Sequence, residues 1–185
     1  RLDAGTRRIT LSAPRNWNGG PETVTVQATD PDNERTTTTF TVRVTPVNDP
    51  PTLSAIPAAS FNEDMSTSIT LTDYVSDPDN PATQMTWTFS GQTNVRASVT
   101  GGVATFGGAL NWNGSERLTV TATDPGGLSA KGTVNVTVAP VNDPPTLTTI
   151  PAVEFDEDGS TSTNLARYVN DVDNSKAQLT WRASG

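Results

Sequence analysis

Apolar and polar residues alternate with a period of two in short segments along the whole chain. Leu118, Val120 and Ala122 fall on one side of such a segment. Alternation of this kind, rich in Thr and Val, is typical of half-buried β-strands, and no segment has a helical period. In the central part of the chain the pattern predicts seven strands, near residues 53–56, 67–71, 84–90, 94–99, 103–106, 117–123 and 132–139.

The flanking parts of the chain carry the same pattern. It predicts strands at 9–11, 23–28 and 39–44 before the central part, and at 147–150, 161–165 and 178–182 after it. Seven short strands separated by Gly, Pro, Asn and Asp indicate an all-β fold of two-sheet, Greek-key sandwiches. A hydrophobic content of 33% also admits disorder. Strict alternation, with Trp87 and Trp181 at one register, favours the folded interpretation.

A long internal repeat underlies these patterns. The segment Val-Asn-Asp-Pro-Pro-Thr-Leu occurs at 47–53 and again at 141–147, which is an offset of 94 residues. Asn-Trp-Asn-Gly occurs at 16–19 and at 111–114, an offset of 95. Many matches at one offset predict a tandem array of similar domains.

The Pro-Pro steps predict the joints of that array, because tandem prolines fix φ, remove backbone donors and stiffen the chain. Three units follow: the C-terminal half of a repeat at 1–48, a complete repeat at 49–142 and the N-terminal half of another at 143–185. A complete repeat is large enough for a small core, but the halves are not. We expect the N-terminal half in one molecule to complete the C-terminal half in another.

Charge narrows the choice of partners. The formal net charge is −8, with no His and no Cys. Nucleic acid and anionic membrane surfaces would be repelled, whereas clustered carboxylates favour cations. The absence of Cys fits a bacterial surface or secreted protein without disulfides, and many cytosolic proteins also lack it. No apolar run predicts insertion into a membrane.

Acidic and amide side chains recur at predicted strand ends and loops. They provide hard oxygen ligands, and calcium binds six to eight such oxygens. Zinc would require the His and Cys that are absent. Asp and Asn also favour turns, so any single cluster has a structural alternative. An EF-hand is excluded, because the loop that begins at Asp156 lacks the closing Glu. The candidate ligands are Asn48, Asp49, Glu63, Asp77, Asp79, Asn80, Asp124, Asn142, Asp143, Asp171, Asp173 and Asn174.

Four elements occur in a fixed order: Glu63, Asp77-x-Asp79, Leu118-Thr-Val-Thr-Ala-Thr-Asp124-Pro-Gly and Val141-Asn142-Asp143. This order resembles a cadherin repeat, and more closely the bacterial cadherin-like tandem repeats of large surface proteins. The resemblance covers the whole chain. It implies calcium ions between successive domains. The first junction would then use Asn48, Asp49, Asp77, Asp79, Asn80 and Asp124, and the second would use Glu63, Asn142, Asp143, Asp171, Asp173 and Asn174.

This sequence departs from the cadherin pattern in places. Prolines flank the linker Asn-Asp pairs, and Leu110-Asn111-Trp112-Asn113 replaces an acidic element of cadherins. We therefore expect only one or two ions at each junction.

Three classes of function follow from these observations. The first is a calcium-rigidified spacer or adhesion repeat of a large extracellular bacterial protein, with neighbouring repeats, a cell-surface glycan or another copy of itself as partners. The alternative is a carbohydrate-binding module with an exposed aromatic platform, for which the candidates are Trp17, Trp87, Trp112 and Trp181. Trp87 is a predicted core residue. Trp112 is the better candidate, and a plug at the end of the sandwich is its second predicted role. An enzyme is disfavoured, because His and Cys are absent and the carboxylates recur in each repeat.

Overall fold

The structure is a computed structural model that describes residues 1–184. Its N-terminal part forms β1 (Leu2–Asp3), β2 (Arg8–Ile9), β3 (Gly19–Thr29) and β4 (Arg35–Val44). The central part forms β5 (Thr52–Leu53), β6 (Ala59–Asn62), β7 (Ser66–Thr70), β8 (Val75–Ser76), β9 (Thr86–Ser90), β10 (Val95–Thr100), β11 (Val103–Gly108), β12 (Gly114–Thr123) and β13 (Ser129–Ala139). The C-terminal part forms β14 (Thr146–Leu147) and β15 (Val169–Asn170), and short 3-10 helices cover Leu71–Tyr74, Ala82–Gln84 and Leu165–Arg167.

The central part is a sandwich of two main sheets. One sheet has four strands in the order β6-β13-β12-β9, and the other has three in the order β10-β11-β7. β6 pairs parallel to β13, whereas the other neighbours in these sheets pair antiparallel. The short β5 pairs with β8 beside the sandwich. The all-β, seven-stranded sandwich expected from the alternation is therefore confirmed.

The core lies between the two sheets and follows the alternation directly. Leu118, Val120, Val134 and Val136 point inward from β12 and β13 and are fully buried. Phe106 of the opposite sheet is also fully buried, and its ring meets that of Phe89 edge-on with centroids 5.5 Å apart. Burying each such side chain stabilises the fold by about 1.5–3 kcal/mol relative to exposure.

The flanking parts of the chain bury little. β3 and β4 form an isolated two-stranded sheet, and most of residues 1–48 and 143–184 are exposed. A register shift between Gly19 and Glu22 marks a bulge in β3. The bulge contains one residue more than the same part of β12. The repeat offset is therefore 95 before the bulge and 94 after it.

The structure corrects several strand predictions. No strand forms at 161–165 or 178–182. The 3-10 helix at Leu165–Arg167 begins at the last residue of the first of these predicted strands. β5 is shorter than the predicted 53–56, and β6 and β8 were not predicted. In the complete repeat β9 is held by β12, whereas residues 178–182 pair with no strand among residues 1–184. Segments 45–51 and 140–145 carry no helix or strand, as the prolines predicted.

Over residues 1–184 the chain forms no helix that is both long and apolar enough to cross a membrane.

Candidate functional site

The first acidic cluster joins the linker to two loops of the complete repeat. The Nδ2 of Asn48 donates to Oδ2 of Asp124 at 2.8 Å, and the backbone N–H of Asp49 donates to Oδ2 of Asp79 at 2.8 Å. Asp124 is 4% exposed, and its Oδ1 accepts the N–H of Leu128 at 2.9 Å. We call this set, with Asp77 and Asn80, the first junction.

Asp77 organises its own loop within the first junction. Its Oδ1 accepts the backbone N–H groups of Asp79 and Asn80, each at 2.8 Å. This is a side-chain turn of the kind that Asp favours. One oxygen of Asp77 thus has the structural role that was the alternative to metal binding.

The second cluster repeats the arrangement around the second linker. The N–H of Asp143 donates to Oδ2 of Asp173 at 2.6 Å, and Nδ2 of Asn174 donates to Oδ1 of Asn142 at 3.0 Å. Oδ1 of Asp171 accepts the N–H groups of Asn174 at 2.7 Å and Asp173 at 3.0 Å. We call this set, with Glu63, the second junction.

Glu63 ties the second junction to the sandwich. It is 3% exposed, although it carries a carboxylate. Its Oε1 accepts the N–H of Val141 at 2.5 Å, and its own N–H donates to the carbonyl oxygen of Ala139 at 2.9 Å. The end of β13 and the start of the linker are therefore held to the residue that follows β6.

The electrostatics of the second junction differ from one carboxylate to the next. Burial raises the pKa of the Asp143 carboxyl, and repulsion from the carboxylates of Asp173, Asp64, Glu63 and Asp171 raises it further. The pKa of Asp171 is lowered, chiefly by the hydrogen bond from the N–H of Asn174. Asp143 therefore lies where negative charge accumulates without compensation.

Buried oxygens that accept no hydrogen bond occur at both junctions. At the first they are Oδ2 of Asp77 and Oδ1 of Asn80; at the second they are Oε2 of Glu63 and Oδ2 of Asp143. A buried polar atom without a partner costs about 1–3 kcal/mol, more when it is charged. These oxygens match the ligand type that calcium prefers.

Every residue of the two predicted sets lies in the network at its own junction. Sequence reasoning left out Asp64, whose charge acts on Asp143 and whose Oδ1 accepts the N–H of Asn111 at 2.9 Å. Its recurrence as Asp158 was the available signal. Within residues 1–184, no three His, Cys, Asp or Glu side chains converge closely enough to hold a metal by themselves. A cation would also need amide, backbone or water oxygens.

Comparison with known proteins assigns the central part of the chain. A family model described as "Bacterial Ig domain" matches residues 48–137, which contain the first junction and all of the sandwich except the last two residues of β13. Over these residues the complete repeat is similar to a bacterial Ig domain. None of the curated proteins compared with the chain matches it.

Several solved structures are similar to parts of the chain. Protocadherin gamma B7 extracellular cadherin domains 1–4 are 18% identical over 88% of this chain and 50% of that chain, with a TM-score of 0.45. An endo-fucoidan hydrolase of glycoside hydrolase family 107 is 17% identical over 65% of this chain and 19% of that one, with a TM-score of 0.38. A PKD domain is 25% identical over 50% of this chain and 89% of that one, with a TM-score of 0.35. The chain thus spans half or less of the first two proteins, and the low TM-scores carry no functional information.

The tryptophans of the complete repeat serve its packing. Trp87 and Trp112 are half-buried and lie against the hydrophobic core. The ring of Trp112 covers Gly114, where an added Cβ would be 2.8 Å from the ring. Trp112 is therefore the aromatic plug that was one of its two predicted roles, and Trp87 packs on the core as expected.

Proposed function

We propose that the chain is a structural spacer or adhesion repeat of a large extracellular bacterial protein, stiffened by calcium at its junctions. Bacterial Ig domains are typical of extracellular surface proteins and are generally non-enzymatic. The observation that carries the calcium part is the set of buried, unpartnered oxygens on Glu63, Asp77, Asn80 and Asp143.

Calcium suits these oxygens better than the other common ions do. It accepts carboxylate, amide and backbone oxygens in flexible numbers, whereas magnesium demands a regular octahedron and keeps its waters. At the second junction the ligands would come from Glu63, Asn142, Asp143, Asp171, Asp173 and Asn174, with Asp64 adding charge. At the first they would come from Asn48, Asp49, Asp77, Asp79, Asn80 and Asp124.

Stiffening follows from where these side chains are attached. Glu63 lies beside the end of the sandwich, Asp143 in the linker, and Asp173 in a loop of the next unit. A cation held among them with the help of amide, backbone or water oxygens would hold the units in line and neutralise carboxylates that otherwise repel one another. Binding to the ordered junction alone stabilises it by about 2.7 kcal/mol when calcium is a hundredfold above its Kd.

Calorimetric titration of the 185-residue chain with calcium, and separately with magnesium, tests the proposal. We expect saturable calcium binding, weaker magnesium binding and a rise in Tm with calcium that chelator reverses. Asp143→Asn should weaken calcium binding at the second junction, and Asp77→Ala with Asp79→Ala should do so at the first.

Glu34→Gln is the matched control, because it also removes one negative charge, from a residue whose side chain is exposed and outside both junctions. It should leave calcium binding unchanged. If millimolar calcium neither binds nor raises Tm, the acidic clusters are ordinary turns and the spacer needs no metal.

The carbohydrate-binding alternative gains no support from the complete repeat, since within residues 49–142 both tryptophans lie against the core. Trp17 and Trp181, in the flanking parts, are more exposed, at 43% and 39%. Both lie in the flanking parts, where the sheets have only two strands.

A further inference from the structure

The turn that precedes β12 presents one side chain to solvent at its tip. The backbone N–H of Trp112 donates to the carbonyl oxygen of Ala109 at 3.1 Å and closes the turn. Asn111 has a φ of 56°, a left-handed conformation that Asn adopts more readily than most residues. Leu110 is left at the tip, where it is 83% exposed.

The turn that precedes β3 has the same geometry but a different tip. The N–H of Trp17 donates to the carbonyl oxygen of Pro14 at 3.3 Å, and Asn16 has a φ of 58°. The tip position is occupied by Arg15, which is also exposed. The same position of the same turn is therefore uncharged in one copy of the repeat and positive in the other.

The turn with Arg15 borders the first junction. Pro14 and Asn16 line a hollow of about 210 Å³ together with Asp49 and Asp79. Both of these carboxylates belong to the proposed ligand set of the first junction. Because Arg15 lies between Pro14 and Asn16 in the chain, a positive charge is attached directly beside this acidic hollow.

The turn with Leu110 borders the second junction. The N–H of Asn111 donates to Oδ1 of Asp64 at 2.9 Å. Asp64 follows Glu63, whose Oε1 accepts the N–H of Val141 at the start of the linker and whose Oε2 is buried without a donor. Leu110 adds no charge to this acidic set.

We propose that the residue at the tip of this turn sets the calcium affinity of the junction that it borders. This role presupposes the proposed function, since it requires calcium at the junctions. Arg15 repels a divalent cation and lowers the affinity of the first junction, whereas Leu110 leaves the attraction of the second junction undiminished. A unit charge about 10 Å from a divalent ion in water changes the binding constant of that ion about fourfold, and salt screens the effect.

Calorimetric calcium titration of the full chain in about 0.01 M salt, where screening is weak, tests the second junction by a charge series. Asp77→Asn with Asp79→Asn should weaken binding at the first junction and isolate the second. In that background Leu110→Arg should raise the Kd about two- to fourfold, and Leu110→Glu should lower it by a similar factor. Leu110→Gln, polar but uncharged, should leave the Kd unchanged. Because Leu110 is exposed, these changes should not unfold the domain.

The converse change tests the first junction. In a chain with Asp171→Asn and Asp173→Asn, Arg15→Leu should lower the Kd of the first junction about two- to fourfold. Arg35→Leu is the matched control, because Arg35 begins β4 whereas Val44, at the other end of that strand, lines the hollow. The separation along the strand is about 30 Å, where a unit charge has little effect, so the control should leave the Kd almost unchanged.

The outcomes separate this role from the proposed function. In about 1 M salt, where the Debye length is about 3 Å, the differences within the charge series should vanish. Calcium binding that is the same in Leu110→Arg, Leu110→Gln and Leu110→Glu, or that changes equally in Arg15→Leu and Arg35→Leu, would overturn the proposed role of the turn and leave the calcium-stiffened spacer standing. A wild-type chain that binds no calcium would overturn both.

Discussion

The carboxylate of Glu116 on β12 fastens the loop between β9 and β10, and replacing it with an amide tests how much that contact stabilises the domain. Its Oε1 accepts the backbone N–H of Asn94 at 2.6 Å and the Nδ2 of the same residue at 3.1 Å. Its Oε2 accepts the N–H of Val95 at 3.1 Å and that of Thr93 at 3.2 Å. Partial burial alone would raise the pKa of Glu116, but these hydrogen bonds outweigh it and lower the pKa.

The expected magnitude follows from counting acceptors. In the Glu116→Gln variant the amide side chain would keep one oxygen and place an NH₂ group where the other oxygen stood, so two donors lose their acceptor. A hydrogen bond to a charged group contributes about 1.5–3 kcal/mol, and water at this surface loop recovers part of it. We expect Glu116→Gln to lower the free energy of unfolding by about 2–3 kcal/mol near neutral pH.

Urea denaturation followed by tryptophan fluorescence measures this loss. Because the folded-state pKa is lowered, the stabilisation is present above the unfolded value of 4.5 and is lost as pH falls through the folded pKa. The difference between wild type and variant should therefore narrow in acid. Glu22→Gln is the matched control at the equivalent repeat position and should cost under about 0.5 kcal/mol. An equal loss for both variants, or a loss at Glu116 that persists unchanged in acid, would refute the reasoning.

Three further predictions concern the core, a glycine and a junction. Phe106→Ala should lower the free energy of unfolding by about 3–5 kcal/mol in urea denaturation, because the side chain is fully buried, whereas Leu110→Ala should have almost no effect. Gly114→Ala should cost about 1–3 kcal/mol in the same assay, because its φ is +148° and the new Cβ would be 2.8 Å from Trp112; Gly107→Ala, with open space around it, should be tolerated. The folded state raises the pKa of Asp143, so the chelator-treated protein should lose stability as pH rises above 3.8 through the folded pKa. Asp143→Asn should flatten this part of the plot of urea midpoint against pH.

The sequence predicted the sandwich because each long strand carries its own alternation. β12 and β13 needed no other information, since Leu118, Val120 and Ala122 already define one face. β6 was missed because it has four residues and follows Pro57, and its parallel pairing with β13 depends on residues that are more than 70 positions away. Pairing of that range leaves no local signal.

The junction residues were predictable as groups, but their individual contacts were not. Recurrence at one offset brought Asp143, Asp171 and Asp173 together correctly. Backbone donors are invisible in a sequence, so it could not show that one oxygen of Asp77 closes a turn while the other lacks a donor. Asp64 recurs as Asp158 but was not among the predicted ligands, because its effect on Asp143 arises only once the chain is folded.

The parallel pairing of β6 with β13 has a mechanical consequence. After the short β5, the chain enters the four-stranded sheet at the start of β6 and leaves it at the end of β13, and the two strands lie side by side over Ala59–Asn62 and Val136–Ala139. Tension along the chain would therefore slide the two strands past each other and strain every cross-strand bond of that ladder at once. Such shear resists rupture far better than peeling, in which the bonds break one after another. The arrangement suits a segment that must transmit pulling force without lengthening.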